Sequence, residues 1–374
     1  MDDKVITPGE LKRRLDADAV SFIFDLRNED EFKSWRIEGH KEIETLNLPQ
    51  EDFVGEEERH MDKLPKDRQI ITICAHGDSS KYTAELLREK GFDAITLLGG
   101  MDIWSEFYES HKVADLPEIY QIYRVAKGCI AYLVTSGGEA AIIDAPRHVE
   151  TILDLAKTLD VKITQVFDTH LHADHISGGR EVARRTGAAY HIHPADMDGA
   201  TYDYNGLRDG SSFTIGNSVL KVVHSPGHTP GSASFFLDNA FLFTGDIIMK
   251  TNLGRPDLGG LADPWAAQLF DTLFNKFGPL SDATVIMPSH ATSIREQDRD
   301  GVVKTTLGIT RQQSDLFQLK DFPAFLAKVK ASLPESPERY QEIRKVNLGL
   351  IDPDEKKLKE LEIGKNLCGM AKKE

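Results

Sequence analysis

The stretch Thr169-His170-Leu171-His172-Ala173-Asp174-His175 sets three imidazoles and a carboxylate within six residues. Burying such a set without a cation would leave strong polar groups unsatisfied, so metal binding is the chemistry it suggests. His170 and His172 project to one side if the chain stays extended. Asp174 and His175 then reach a neighbouring position as the chain turns into a helix near residue 179. Three further residues repeat the placement at the end of an apolar run. His228 lies in Ser225-Pro226-Gly227-His228, Asp246 closes Phe241-Leu242-Phe243-Thr244-Gly245-Asp246, and His290 closes Met287-Pro288-Ser289-His290. A lone histidine is more often a surface or hydrogen-bonded residue. Four such segments together point to ligands gathered at one edge of a sheet sandwich, which makes a rigid site.

A second kind of chemistry starts at Cys74. It follows the strand expected to be buried at 69–73 and opens Cys74-Ala75-His76-Gly77-Asp78-Ser79-Ser80, which leads into a helical pattern. Such a loop aims backbone N–H groups and a helix N-terminus at the sulfur, the setting of a nucleophilic thiolate or a persulfide anion. Inert packing is the competing reading, since free cysteines behave as small hydrophobes. Cys129 reads as buried packing, with sulfur relay as the alternative, and Cys368 reads as incidental. Arg255 could hold a substrate carboxylate or a leaving sulfite; a surface salt bridge would equally explain it.

The elements that must carry these residues fall into two patterns. Up to about residue 110, apolar runs at 20–24, 69–73 and 94–98 alternate with helical stretches at 29–35 and 80–90, and Thr7-Pro8 opens a helix. That alternation predicts a parallel α/β sheet covered on both faces. A polar connector is expected at 111–117. Closely spaced strands follow at 119–126, 129–134 and 140–143, with turns at Lys127-Gly128 and Ser136-Gly137-Gly138, then a helix at 149–159. Strands and helices mix up to about 287, the profile of a sandwich flanked by helices. From about Gln312 the chain is charged and helical, broken at Pro334, Pro337 and Pro353, with packing as its expected role. The domains expected are 1–112, 113–350 and a charged helical tail at 351–374.

Among 374 residues, 60 acidic and 45 basic side chains give a formal net charge of −15, which argues against nucleic acid as a main partner. No apolar run is long enough to span a bilayer, and the Met1-Asp2-Asp3-Lys4 start lacks a signal peptide's basic and apolar regions. Three cysteines are too few and odd for a disulfide framework, so the reducing cytoplasm is the expected location. An acidic chain with a packing tail could form a homodimer.

The metal motifs resemble the metallo-β-lactamase superfamily over about residues 115–347, and within it the persulfide dioxygenases. Ala173 within the histidine motif, Ile176-Ser177-Gly178 after it, Gly254-Arg255-Pro256-Asp257, Lys127-Gly128-Cys129-Ile130-Ala131-Tyr132 and the segment from Pro337-Glu338-Arg339-Tyr340 to Asn347 carry that likeness. The related hydroxyacylglutathione hydrolases typically place two glycines and an asparagine after their motif. The resemblance implies one Fe(II) per chain held by His170, His228 and Asp246, with His172, Asp174, His175 and His290 around it. It further implies oxidation of a low-molecular-weight persulfide by O₂ to thiol and sulfite. Two zinc ions remain the alternative, since every ligand for them is present, and the reaction would then be thiolester hydrolysis. Ala291-Thr292-Ser293 departs from the Asp-Tyr frequent in the dioxygenases, so the carrier thiol stays open.

Residues 5–108 resemble rhodaneses through Phe24-Asp25-Leu26-Arg27, Arg36-Ile37-Glu38-Gly39-His40 and Leu97-Leu98-Gly99-Gly100-Met101. The likeness implies a Cys74 that carries sulfane sulfur and can pass it to sulfite as thiosulfate. Ala75 and Ser79 stand where thiosulfate-active rhodaneses commonly carry arginines, and Asp78 adds negative charge. A persulfide donor fits that loop better than thiosulfate.

Overall fold

The computed structural model describes residues 4–260, 262–333 and 339–370. Pro334, Pro337 and Glu338 lie outside the described residues. The chain forms two compact units. The first takes the chain up to Tyr108 with Arg124–Lys127 and Ser293–Arg295; the second takes Glu109–Tyr123, Gly128–Thr292 and the chain from Glu296 onward.

In the first unit, β1 (Val5–Ile6), α1 (Pro8–Asp16), β2 (Phe22–Asp25), α2 (Glu29–Ser34), β3 (Glu44–Asn47), α3 (Gln50–Phe53), β4 (Ile70–Ile73), α4 (Asp78–Glu89), β5 (Ala94–Leu97) and α5 (Gly100–Ser105) follow one another. The strands form a sheet in the order β1-β5-β4-β2-β3, every pair parallel. All four residues of β4 are buried, as expected of a strand covered on both faces. Thr7 caps α1 by accepting from Glu10 N–H, and Pro8 takes the first helical position, where its missing N–H costs nothing.

The second unit is a sandwich of two sheets. One contains β6 (Tyr108–Asp115), β7 (Glu118–Arg124), β8 (Cys129–Ser136), β9 (Glu139–Ile143), β10 (Lys162–Phe167), β11 (Ala189–Ile192) and β12 (Asn205–Gly206), in the order β12-β11-β10-β9-β8-β7-β6. Helices α6 (Glu150–Thr158) and α7 (Gly179–Thr186) are its crossovers, β9 to β10 and β10 to β11 being parallel. β8 and β9 pair antiparallel, as the sequence predicts. The other sheet holds β13 (Ser212–Ile215), β14 (Ser218–His224), β15 (Ala233–Leu237), β16 (Phe241–Gly245), β17 (Val285–Pro288) and β18 (Thr305–Thr306), joined in chain order. Ring contacts Tyr132–Phe243 at 4.9 Å and Phe167–Phe235 at 5.0 Å close the space between the sheets.

Helices α8 (Ala262–Asp271), α9 (Leu307–Gln313), α10 (Asp315–Gln318), α11 (Phe322–Ala331), α12 (Arg339–Asn347) and α13 (Glu355–Glu362) complete this unit. The connector expected at 111–117 is corrected: most of it is strand β6. Its residues are half-buried or exposed, so the polar side chains that suggested a loop lie on an edge strand open to water. Among the described residues no helix is long and apolar enough to cross a membrane.

Candidate metal centre

The expected ligands sit just beyond strand ends. The histidine motif follows β10, His228 follows β14, Asp246 follows β16 and His290 follows β17. All are at most 4% exposed, a depth at which polar groups need partners. His170, His228 and Asp246 offer three ligand atoms within 4.8 Å of one another. His170 Nε2 lies 3.8 Å and His228 Nε2 3.5 Å from Asp246 Oδ2.

The tautomers of the two rings follow from their other nitrogens. Thr169 Oγ1 donates to Asp144 Oδ2 at 3.0 Å, so it accepts from His170 Nδ1–H at 2.9 Å. His228 Nδ1–H donates to the Arg255 carbonyl at 2.9 Å. Each ring therefore keeps a bare Nε2 lone pair near Asp246 Oδ2. His170 Nε2, His228 Nε2 and Asp246 Oδ2 are all buried without a hydrogen-bond partner among the described residues. A cation is what such a cradle fits, because no donor among the described residues relieves the desolvated lone pairs.

Electrostatics point the same way. Burial, with the neighbouring rings of His172 and His228, holds His170 well below the usual imidazole range. Burial also lowers His228, against the pull of Asp246. Burial would raise Asp246, but His290 and His228 outweigh it and keep the carboxyl below its usual range. Neutral imidazoles beside an ionised carboxylate are the ligand state a cation requires.

His172 donates Nε2–H to Asp144 Oδ1 at 3.1 Å, and its buried Nδ1 has no partner. A second group joins Cys129, Asp174, His175 and His290, again within 4.8 Å. Within it His175 Nδ1 bonds Asp174 Oδ1 at 3.1 Å and Cys129 Sγ bonds Asp174 Oδ2 at 3.4 Å, while His290 Nδ1 reaches out to Asp246 Oδ1 of the first group. His290 Nε2 is 3.0 Å from Asp174 Oδ2 in ionic contact without hydrogen-bond geometry. Burial opposes a charge on His175, yet Asp174 and Cys129 raise its pKa well above the ordinary value.

Arg255, expected to hold a substrate anion, lies in a buried ion pair. Its guanidinium is 1% exposed and pairs with Asp257 at 2.6 and 2.8 Å, so its part in the site is the carbonyl that fixes His228. Gly254 beside it is a required glycine, since a Cβ there would fall 2.0 Å from the Asp246 carbonyl.

Sequence reasoning missed the residues that hold the motif loop. Asp144 takes Thr169 N–H at 2.7 Å, His172 Nε2–H and the Ser289 hydroxyl. Asp196 takes Leu171 N–H at 3.0 Å and the Thr229 hydroxyl at 2.6 Å. Asn347, ending α12, donates to the carbonyls of His172 and His175 and accepts from Ser177 N–H. Asp144 had a legible signal, a carboxylate directly after the buried run of β9, the same placement as Asp246. Asn347 closed the segment that carries the family likeness, without a role being read for it, and Asp196 had no signal.

In the first unit Cys74 Sγ accepts from Gly77 N–H at 3.0 Å and Ser80 N–H at 3.3 Å. A cavity of about 700 Å³ opens on it, lined also by Arg27, His76, Asp78 and Ser79. Arg27 is committed to Asp25 at 2.7 Å and to the Trp35 carbonyl. The loop geometry suits a sulfur anion held by backbone donors.

Residues 7–107 match the rhodanese-like domain family and residues 126–296 the metallo-beta-lactamase superfamily. A hydroxyacylglutathione hydrolase from Rhizobium johnstonii is 30% identical over 229 residues, 56% of this chain and 88% of that protein. The chain belongs to the metallo-beta-lactamase superfamily. A hydroxyacylglutathione hydrolase from Nitrosococcus oceani is 28% identical over 226 residues, 54% of this chain and 84% of that protein. Among solved structures, a metallo-beta-lactamase from Staphylococcus aureus subsp. aureus COL superposes with TM-score 0.56 and 29% identity, over 62% of this chain and 72% of that one. ETHE1 from Myxococcus xanthus gives 0.53 and 25%, over 65% and 99%. The protein is thus a metal-dependent enzyme of the superfamily carrying an N-terminal rhodanese domain, and its histidine and aspartate clusters are typical of the superfamily's metal sites.

Proposed function

We propose that the second unit oxidises a low-molecular-weight persulfide, R–S–SH + O₂ + H₂O giving R–SH + H₂SO₃, at a single iron held by His170, His228 and Asp246. The observation that carries this reading is the set of three orphaned ligand atoms, two imidazole and one carboxylate. That donor set suits Fe(II), which would leave positions open for sulfur and oxygen side by side. The chain's own residues do the rest. Thr169 and Arg255 fix the two ring tautomers, Asp144 anchors Thr169 and His172, and Asp246 keeps its second oxygen on His290. The resemblance of Ala173 and Gly254-Arg255-Pro256-Asp257 to the persulfide dioxygenases supports the same substrate.

In the first unit Cys74 would hold sulfane sulfur as Cys–S–SH. Sulfite attacks the outer sulfur, the S–S bond breaks, and thiosulfate leaves with Cys74 restored as thiol. Gly77 and Ser80 N–H groups stabilise the sulfur anion throughout.

A second reading, two zinc ions and thiolester hydrolysis, is favoured by the orphaned His172 Nδ1 and by relatives named hydroxyacylglutathione hydrolase. Metal quantification with an oxygen electrode separates the two. Iron near one per chain, with oxygen uptake on adding glutathione persulfide, supports the first. Iron-loaded protein that consumes no oxygen with any persulfide, yet cleaves a glutathione thiolester, refutes it.

A further inference from the structure

The segment after α13, for which the sequence suggests only packing, reaches the second donor group. Asn366 Nδ2 donates to Asp174 Oδ2 at 2.8 Å, while Asn366 Oδ1 accepts from Cys368 N–H at 2.6 Å. The second bond decides the orientation of the first. A backbone N–H can only be met by the amide oxygen, so the –NH₂ face must point at Asp174. An amide N–H is a donor and cannot ligate a cation.

Both oxygens of Asp174 are therefore taken by donors from the chain. Oδ2 receives Asn366 and the Cys129 thiol and sits against His290 Nε2; Oδ1 receives His175 Nδ1–H. The contrast with the first group is direct, because there Asp246 Oδ2 meets no donor at all. Nor is Asn366 a casual neighbour. Its segment is tied down by Leu367 N–H to Tyr340 OH at 2.8 Å, Arg255 N–H to the Cys368 carbonyl at 2.9 Å, and Met370 N–H to the Leu253 carbonyl at 3.0 Å. Cys368 is fully buried beneath it.

We infer that Asn366 is a positioning residue that sets the number of metal ions. By holding Asp174 with an N–H donor it keeps Cys129, Asp174 and His175 as a hydrogen-bonded network beside His290 and leaves the cation to His170, His228 and Asp246. A cation in the second group would compete with the Asn366 and Cys129 donors for Asp174 Oδ2 and displace the thiol proton, each at a cost. This inference rests on the one-metal reading of the site.

The test compares the full-length chain with Asn366→Ala and Asn366→Asp. Each is equilibrated with excess Zn²⁺ alone, desalted, and measured by mass spectrometry for metal per chain, with circular dichroism to check folding. Wild type is expected to retain about one zinc and both variants about two. Asn366→Asp, which offers an oxygen in place of the donor, is expected to show a larger zinc-induced rise in melting temperature than wild type. It also serves if the alanine variant fails to fold. Wild type with one zinc and well-folded variants also with one overturns the role of Asn366 and leaves the one-metal reading standing. Wild type with two overturns both.

Discussion

Replacing Asn347 by alanine deletes three hydrogen bonds from the loop that carries His170, His172, Asp174 and His175. The amide donates to the His172 and His175 carbonyls at 2.9 and 3.0 Å and accepts from Ser177 N–H at 3.0 Å. At about 0.5–1.5 kcal/mol net for each bond, the loss is roughly 1.5–4.5 kcal/mol, with about 3 kcal/mol as the central value. Asn347 is 7% exposed, so water cannot readily replace the lost partners. Hydrogen exchange read by mass spectrometry on peptides covering 168–178 reports the effect directly. Loosening by about 3 kcal/mol speeds exchange there on the order of a hundredfold, while peptides covering β4 stay unchanged. Asn347→Asp sharpens the test. The near-isosteric carboxylate turns an acceptor toward two carbonyls, so at pH 8 it should be worse than alanine. Its pKa in the fold is then raised, so its deficit shrinks as pH falls through that value and the acid becomes a donor. Exchange in 168–178 within about twofold of wild type for the alanine variant would refute this account of how the loop is held.

Chelation should lower the melting temperature, because a cation bound only by the folded state stabilises it by about 2.7 kcal/mol at a hundred times Kd, and His228→Ala should abolish that difference. An unchanged melt after full metal removal would contradict the cradle. His191, buried against Phe167 and Phe213, has its pKa lowered from 6.5 to about 4 by burial. Between those values the unfolded chain holds the extra proton, so acidification from pH 6.5 toward 4 should cost up to about 3 kcal/mol of stability. His191→Gln should flatten that slope; an unaltered slope places the titrating group elsewhere. In the sulfur loop a Cβ at Gly100, where φ is +59°, would fall 2.3 Å from the Cys74 carbonyl. Gly100→Ala should therefore lose persulfide labelling of Cys74 by mass spectrometry as completely as Cys74→Ser, with the metal content of the chain unaffected.

Much of this site is legible in the sequence because its signals are local. A buried strand must end in a turn, and polar residues placed there are either solvated or used. The repetition of that pattern at His170, His228, Asp246 and His290 marks the edge where ligands gather. Cys74 between a buried strand and a helix start is readable on the same grounds. The parallel first sheet follows from strand–helix alternation, and the β8–β9 pairing follows from a tight glycine turn.

What the sequence determined, then, is which side chains lie at strand ends and which periodicity carries them there, since both depend on neighbours only a few residues away. Tertiary structure alone decided which lone pairs stay free. The His228 tautomer is set by a carbonyl on the Arg255 loop, and the His170 tautomer by Thr169 under the control of Asp144 and Ser289. Asn347, Asp196 and Asn366 act across long stretches of chain, and the Arg255 guanidinium, chemically suited to an anion, is sealed against Asp257 instead. Hydrogen bonding is decided by separations near 3 Å and by angle. No spacing along the chain encodes those quantities until the sheets have packed.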